Sequence, residues 1–589
     1  MAFVTRWLQR PPSVLLAAAA VIALLVGLAI LQRSLAYLQV VSWAAKAPYD
    51  VPTSLMTEVT PETTSHASSA DGPSAIPVNA AVAGPVRVRL AANLPSDVME
   101  ALFAEAEVAG APYRLVEGQE ADLQIDMQKE PDGVLFAFRV YVPVARFATL
   151  RQGVTTEELK AIWSGQAATP LLVDEDAWAS LRWLWGEPAA GAPVVSVRAD
   201  ALADRLWAEP EALGIVPFHR LEPRLKALAL DGHLATDNAL VLAEDGAPAD
   251  YPLTIRIFAH GPAEAIERMR AALAERVVLA DRDASRLTVL IMTGVTALTR
   301  ATAAKMEAYN DYAYPAHKIA SVLAAADITH VSNEIPFVAG CPVNPDPDNL
   351  IFCSKPEYVA TLKEIGTDIV GLTGNHMNDY GHEAMLASLD YYREQGIRTY
   401  AAGRNAAEAV KPLLVEDHGN RLAFLGANQF GPSSNWAGED TPGSARYDFA
   451  TMAEQIKAAR QDEGADLVLV ELQWEESYEA LPLPSQLEAF SALSDAGADI
   501  VTGVQSHVPQ ALAFRHGRLI LYGLGNLFFD QMFALQTRQG LIARHVIHRG
   551  RHLSTDLLLT VIEDFAQPRW ATEPERQEVL TRVFRASGW

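Results

Sequence analysis

Thr373-Gly374-Asn375-His376-Met377-Asn378-Asp379-Tyr380-Gly381 is the stretch on which the reading of this chain turns. Asp368-Ile-Val-Gly-Leu372 before it has the unbroken apolar character of a buried strand. After it, Met385, Leu389 and Tyr392 recur at helical spacing. A Gly-bounded loop therefore carries Asn, His, Asn and Asp across a strand-to-helix turn. In open α/β sheets such turns, at the carboxyl ends of strands, are where ligands bind.

Similar strand ends recur on both sides of this loop. Leu287-Thr-Val-Leu-Ile-Met292 runs into Thr293-Gly294-Val295, and Ala325 to Val331 leads into Ser332-Asn333-Glu334-Ile335-Pro336. Arg421 to Gly426 reads as another strand. Asp466 to Leu472 ends in Gln473-Trp474-Glu475-Glu476, Asp499 to Gly503 in Val504-Gln505-Ser506-His507, and Arg518 to Tyr522 in Gly523-Leu-Gly525-Asn526. Six strand ends converge on polar residues, and one site at one edge of a sheet is the economical explanation.

These residues closely resemble the capsule-biosynthesis (CapA-type) family associated with poly-γ-glutamate production, relatives of the calcineurin-like metallophosphoesterases. Glu334-Ile-Pro336 is similar to its N-L-E-x-P, and Asn375-His376 with Asp379-Tyr-Gly381 to its N-N-H-x-x-D-x-G. Ala402-Gly403 with Asn405-Ala406 resembles its G-A-G turn. Gly497 to Gly503 with His507 and Gln510 resembles G-A-D-x-V-x-G-x-H-P-H-V-x-Q, and Tyr522 to Asp530 resembles Y-S-L-G-N-F-x-F-D. The resemblance implies a C-terminal four-layer α/β/β/α sandwich over 285–589 with a metal-dependent hydrolase or transferase site.

The departures fall on the metal ligands of that pattern. Val295 stands for an Asp, Ser332-Asn333-Glu334 for N-L-E, and Gln473 and Gln505 for histidines. Val cannot ligate, and a neutral Gln oxygen is a weak ligand beside imidazole or carboxylate. A two-ion centre, with its ions ~3.5–4 Å apart, loses its usual ligands. Glu334, His376 and His507 remain as a set that could hold one divalent ion, with Glu475 or Glu476 contributing. Asn375, His376 and Asp379 are the catalytic candidates. Gln473, Glu475, Gln505 and Asn526 are the substrate-binding ones, because two His-to-Gln replacements keep hydrogen bonding without tight metal binding. Asp379 either orients His376 or caps the following helix. His382 reads as a solvated helix-start residue, and Trp474 and Tyr478 read as core.

Cys341 and Cys353, the only cysteines, flank Pro342-Val-Asn-Pro-Asp-Pro-Asp-Asn349. With the body outside the membrane a disulfide closing this loop is expected, beside the site. No nearby His or Cys completes a tetrahedral metal set.

Location rests on the N-terminus. Ser13 to Leu31 carries no charge and is long enough for a ~30 Å hydrocarbon core, with Arg6 and Arg10 before it. This predicts an uncleaved single-pass anchor over 1–45, with the N-terminus cytoplasmic and the body extracytoplasmic. Ala45-Lys46-Ala47 resembles a signal cleavage site but lies far beyond the apolar run. Residues 46–84, rich in Pro, Ser, Thr and Ala, read as a flexible tether. Strand and helix patterns then alternate over 85–280. There Tyr141 to Phe147, Gly153 to Gly165 and Leu213-Gly-Ile-Val-Pro-Phe-His219 are similar to segments of periplasmic phosphate-type solute-binding proteins.

With 589 residues the chain should hold two or more domains. A net charge of −25 and the lack of any Lys/Arg-rich run exclude a nucleic-acid binder. The expected function is surface-polymer (poly-γ-glutamate-like) biosynthesis, with the polymer or its precursor, the membrane and other polymer-synthesis membrane proteins as partners. The alternative is a non-catalytic polymer-binding or assembly factor that has lost the two-metal centre.

Overall fold

A computed structural model describes residues 85–589 except 109–110, 119, 245 and 274–275. The predicted anchor (1–45) and tether (46–84) lie outside the described residues. Among the described residues no helix is long and apolar enough to cross a membrane. The chain forms two compact units, one of Arg139–Ile255 with Ala280–Trp589, the other of residues 85–138 with Arg256–Leu279. The expected 85–280 domain therefore contributes its middle to one unit and its two ends to the other.

The smaller unit is an α/β body. Val86–Leu90 lies between Tyr113–Leu115 and Leu123–Asp126, parallel to both, and the far end of Thr254–His260 adds antiparallel. The helices Ser96–Ala106 and Ala263–Leu273 belong to it.

In the larger unit, residues 139–255 build a mixed sheet in which Leu213–Pro217 runs antiparallel to Val134–Arg146 and parallel to Leu171–Asp174. The helix Thr156–Trp163 starts on a Thr155 cap and stops before Gly165, whose φ of +72° suits glycine. Phe147 and Trp207 of this segment meet Phe514, Phe584 and Trp589 in one aromatic cluster. Aromatic edges packed this way join the segment to the C-terminal body.

The C-terminal body has two sheets. One places Arg398–Tyr400, Thr367–Gly371, Ile328–Asn333 and Leu287–Thr296 side by side in parallel and continues through the antiparallel strands Gln539–His548, Arg551–Glu563 and Gln567–Trp570. The other orders Leu413–Asp417, Asn420–Asn428, Leu467–Gln473, Ile500–Val504, Arg518–Leu521 and Leu512–Arg515. The central strands Leu287–Thr296, Leu467–Gln473 and Ile500–Val504 are buried along their whole length and mostly apolar, as sheets covered on both faces require. Leu290, Ile369, Phe424, Leu469, Leu519 and Leu557 fill the space between the sheets. Met306, Leu362, Met385 and Tyr392 cover the outside of the first sheet, and Met452, Ile456, Phe490 and Leu493 cover the second. This is the four-layer arrangement expected of residues 285–589. The long antiparallel strands of Gln539–Trp570 were not anticipated by the sequence reading.

Candidate functional site

The strands Leu287–Thr296, Ile328–Asn333, Thr367–Gly371, Leu467–Gln473 and Ile500–Val504 deliver their following loops to one edge. Gly374 lets the two loops of the first sheet touch. A Cβ there would sit 2.2 Å from Glu334 Cα, so only glycine allows the His376 loop to lie flat on Glu334. Gly374→Ala should therefore force the loops apart and cost about 1–3 kcal/mol, read as a lower midpoint in denaturant unfolding.

His376 Nδ1 is 2.7 Å from Asp379 Oδ2, and the Phe352 ring lies 4.2 Å from the imidazole. Asp379 thus orients His376. The following helix, Gly381–Glu394, has Tyr380 at its N-cap with no side-chain cap, so the capping alternative is set aside. Burial opposes a charge on His376, but the Asp379 hydrogen bond and the Glu334 charge outweigh it and raise its pKa. Glu334 is buried, its Oε2 meets no partner, and burial pushes its carboxyl up to about 7 against the pull of His376 and Arg300. His507 Nδ1–H donates to Asn526 Oδ1 at 2.8 Å, and burial lowers its pKa. Asn526 also donates to Thr537 O at 2.9 Å, so it is a fixed brace for His507.

The glutamines divide. Gln473 donates from Nε2 to Asn375 Oδ1 at 2.6 Å. Gln505 is buried with φ +80° and an unpartnered Oε1. His507 at φ +48° and Arg300 at +47° share the left-handed conformation. Such strain gathers at functional sites. Glu475 and Glu476 are exposed at the mouth. Glu476 accepts from Tyr478, whose ring stacks on His507 at 5.6 Å. Tyr478 is thus an exposed site residue rather than core, whereas Trp474 is buried against Tyr447 and Phe490 as expected. His382 is exposed in the first helical turn, also as expected.

Two substitutions in the ligand pattern are structural. Val295 is buried and pairs with Ser332 and Asn526. Asn333 does not replace the missing ligand, since its Nδ2 is turned into the core, donating to Ile335 O at 2.8 Å and Tyr392 Oη at 2.7 Å.

Sequence reasoning missed several residues. Arg300 binds both oxygens of Asp530 and stacks over Phe352 and Phe529 at 5.1 and 4.8 Å. A lone Thr-Arg pair at a helix start gives no signal of this, although Asp530 closes the Tyr522–Asp530 motif. Beneath the site, between the sheets, Glu471 accepts from Thr373 Oγ1 at 2.8 Å and Ser332 Oγ at 3.1 Å. Its position inside an apolar strand was the available clue.

The residues do not fit a two-ion centre. Asn375 Oδ1, a ligand in the resembled pattern, accepts from Gln473 instead. Among the described residues the groups of at least three His, Cys, Asp or Glu with ligand atoms all within 4.8 Å are Glu130–Asp132–His260 and Asp327–Asp417–His418. The Glu334–His376–His507 set is not one of them. What the cleft offers is a braced imidazole, a carboxyl titrating near neutrality, and two buried unpartnered acceptor oxygens, Glu334 Oε2 and Gln505 Oε1. Groups of this kind are chemically able to transfer protons and to accept from hydrogen-bond donors.

Residues 289–531 match the family described as bacterial capsule synthesis protein PGA_cap. Over these residues the chain is similar to that family. The chain is 30% identical over 222 residues to "Capsule biosynthesis protein CapA" of Bacillus anthracis, covering 37% of this chain and 54% of that protein. It is 30% identical over 195 residues to "PGA biosynthesis protein CapA" of Bacillus subtilis, covering 33% and 51%. The chain thus spans about half the length of these curated relatives. Among solved structures, an ABC-type phosphate transport receptor from Vibrio cholerae shares 14% identity at a TM-score of 0.24, covering 32% of this chain and 93% of the receptor. The NAD nucleotidase of Haemophilus influenzae shares 11% identity at 0.30, covering 51% and 56%.

Proposed function

We propose that this chain works in the synthesis of an extracytoplasmic surface polymer of the poly-glutamate kind, and that its PGA_cap cleft performs acid–base hydrolysis or transfer on the polymer or its precursor. The observation that carries this is His376, braced by Asp379 and set beside the unpartnered carboxyl of Glu334. Protonated His376 supplies a proton to the departing group. Glu334, titrating near neutrality, takes one from the attacking group. Gln505 Oε1 accepts from an N–H donor of a polyamide backbone, and Gln473 holds Asn375 in place beside it. In this reading no two-ion centre takes part. A protein anchored through residues 1–45 would meet the polymer at the outer face of the membrane, beside other polymer-synthesis proteins. The 85–280 region, read as solute-binding-like, would present ligand there.

A second reading, a binding or assembly factor without turnover, is favoured by Val295, Gln473 and Gln505. Calorimetry and product analysis of the full chain with γ-linked glutamate oligomers separate the two. Binding with cleavage or transfer supports the enzyme, and binding alone supports the factor. No binding overturns both. Gln505→Ala should weaken binding about 5- to 10-fold, the worth of one hydrogen bond.

A further inference from the structure

The loop closed by the Cys341–Cys353 disulfide touches the catalytic candidate directly, and nothing in the family resemblance accounts for that contact. Residues 342–351 form neither helix nor strand, and Leu350 and Ile351 are exposed. Phe352, between Ile351 and Cys353, is nevertheless buried. Its ring lies 4.2 Å from His376 and 6.0 Å from Phe529. Its backbone N–H donates to Asp379 Oδ2 at 2.8 Å, the same oxygen that faces His376 Nδ1 at 2.7 Å. One carboxylate oxygen is thereby shared between the loop backbone and the imidazole. Further ties are Arg300, which donates to Pro347 O at 2.9 Å and stacks over Phe352, and Val343, packed against the outer helical layer.

We propose that Phe352 is a positioning residue for His376, and that the disulfide is the covalent tie that keeps it in place. The inference deepens the acid–base reading of His376 and rests on it for its functional consequence. The physical reason is entropy. A loop without regular structure gives up about 1–2 kcal/mol of conformational freedom per ordered residue, which the short-range hydrogen bonds among Asn344, Asp346, Asp348, Asn349 and Ile351 offset only in part. Closing it at both ends confines Phe352 to the short range in which its N–H reaches Asp379 and its ring covers the imidazole. With the tie cut, the Asp379 oxygen loses one donor and the imidazole loses its apolar cover. The geometry of the Asp379–His376 pair then loosens. Phe352 touches no reacting atom and acts only through His376 and Asp379.

The test is hydrogen–deuterium exchange by mass spectrometry on the full chain, oxidised and after reduction with thiol capping, alongside Phe352→Ala and Phe352→Tyr with the disulfide intact. Asp379 N donates to His376 O and Gly381 N to Asn378 O, so peptides over 374–381 report the state of this turn. Reduction and Phe352→Ala should each speed exchange over 374–381 about tenfold, whereas Phe352→Tyr should match the parent. Peptides over the strand Leu467–Gln473 should not change, which separates loosening of the turn from unfolding. Unchanged exchange over 374–381 in both the reduced protein and Phe352→Ala would overturn the proposal. In the turnover assay on γ-linked glutamate oligomers, Phe352→Ala should lower kcat and leave KM in place. Lack of turnover in the parent protein would count against the acid–base reading alone, because the exchange result stands without it.

Discussion

His376→Gln is expected to lower turnover on γ-linked glutamate oligomers by about 10²–10⁴-fold, the usual worth of a positioned general acid. Gln keeps a polar side chain but cannot carry a transferable proton, so the loss isolates proton transfer from binding. KM should hold, because the acceptors Glu334 Oε2 and Gln505 Oε1 remain. Stability should fall by only about 1 kcal/mol, since one hydrogen bond to Asp379 is lost from a partly exposed side chain. The pH dependence follows from the two groups. His376 has a raised pKa, so its proton is retained to higher pH than in a free imidazole. Glu334 titrates near 7. Activity that needs Glu334 ionised and His376 protonated should pass through a maximum near neutrality and fall on both sides.

The second large effect lies beneath the site. Glu471→Gln is expected to stabilise the protein at pH 8 by on the order of 3 kcal/mol and to have little effect at pH 4, measured by denaturant unfolding at both pH values. Burial pushes the Glu471 carboxyl up from 4.5 to about 7 against the hydrogen bonds from Thr373 and Ser332. The folded protein therefore holds this proton more tightly than the unfolded chain. The stability contributed is complete below pH 4.5 and is lost as pH rises through about 7. Glutamine keeps an oxygen for Thr373 and Ser332 and removes the ionisation altogether. His330, 3.6 Å from Glu471 Oε2, cannot compensate, because burial lowers its pKa to about 3 and leaves it neutral. Gly371 makes room for this group, with Glu471 Oε1 and Tyr400 Oη at 2.6 and 3.0 Å from the place a Cβ would take.

Strands were legible because the central parallel strands of the C-terminal body are buried on both faces and read as mostly apolar runs. Leu287–Thr296, Thr367–Gly371, Leu467–Gln473 and Ile500–Val504 all stand where the sequence placed them, to within a few residues. The strands Gln539–His548 and Arg551–Glu563 were missed because histidines, arginines and threonines punctuate them. Their pairing with neighbouring strands, not a local apolar pattern, sets them in the sheet. At the site, Asn375, His376, Asp379 and Glu334 were legible because short polar loops after buried strands are rarely idle. The disulfide was legible from two cysteines flanking one loop, and it is present. Arg300 and Phe352 were not, since a cation stacked between rings and a ring over an imidazole arise only from tertiary packing. Gln505 was singled out as a replaced histidine. Its buried, unpartnered oxygen is a fact of the fold.

The central claim is that this cleft works through hydrogen-bonding and proton-transferring side chains where the pattern it resembles places a pair of ions. Metal analysis of the purified full chain, dialysed against metal-free buffer and then offered manganese, zinc or magnesium, tests it most directly. The account predicts well under one bound ion per chain and no change on replacing His507 with Ala. Close to two tightly held ions per chain, released by His507→Ala, would contradict it.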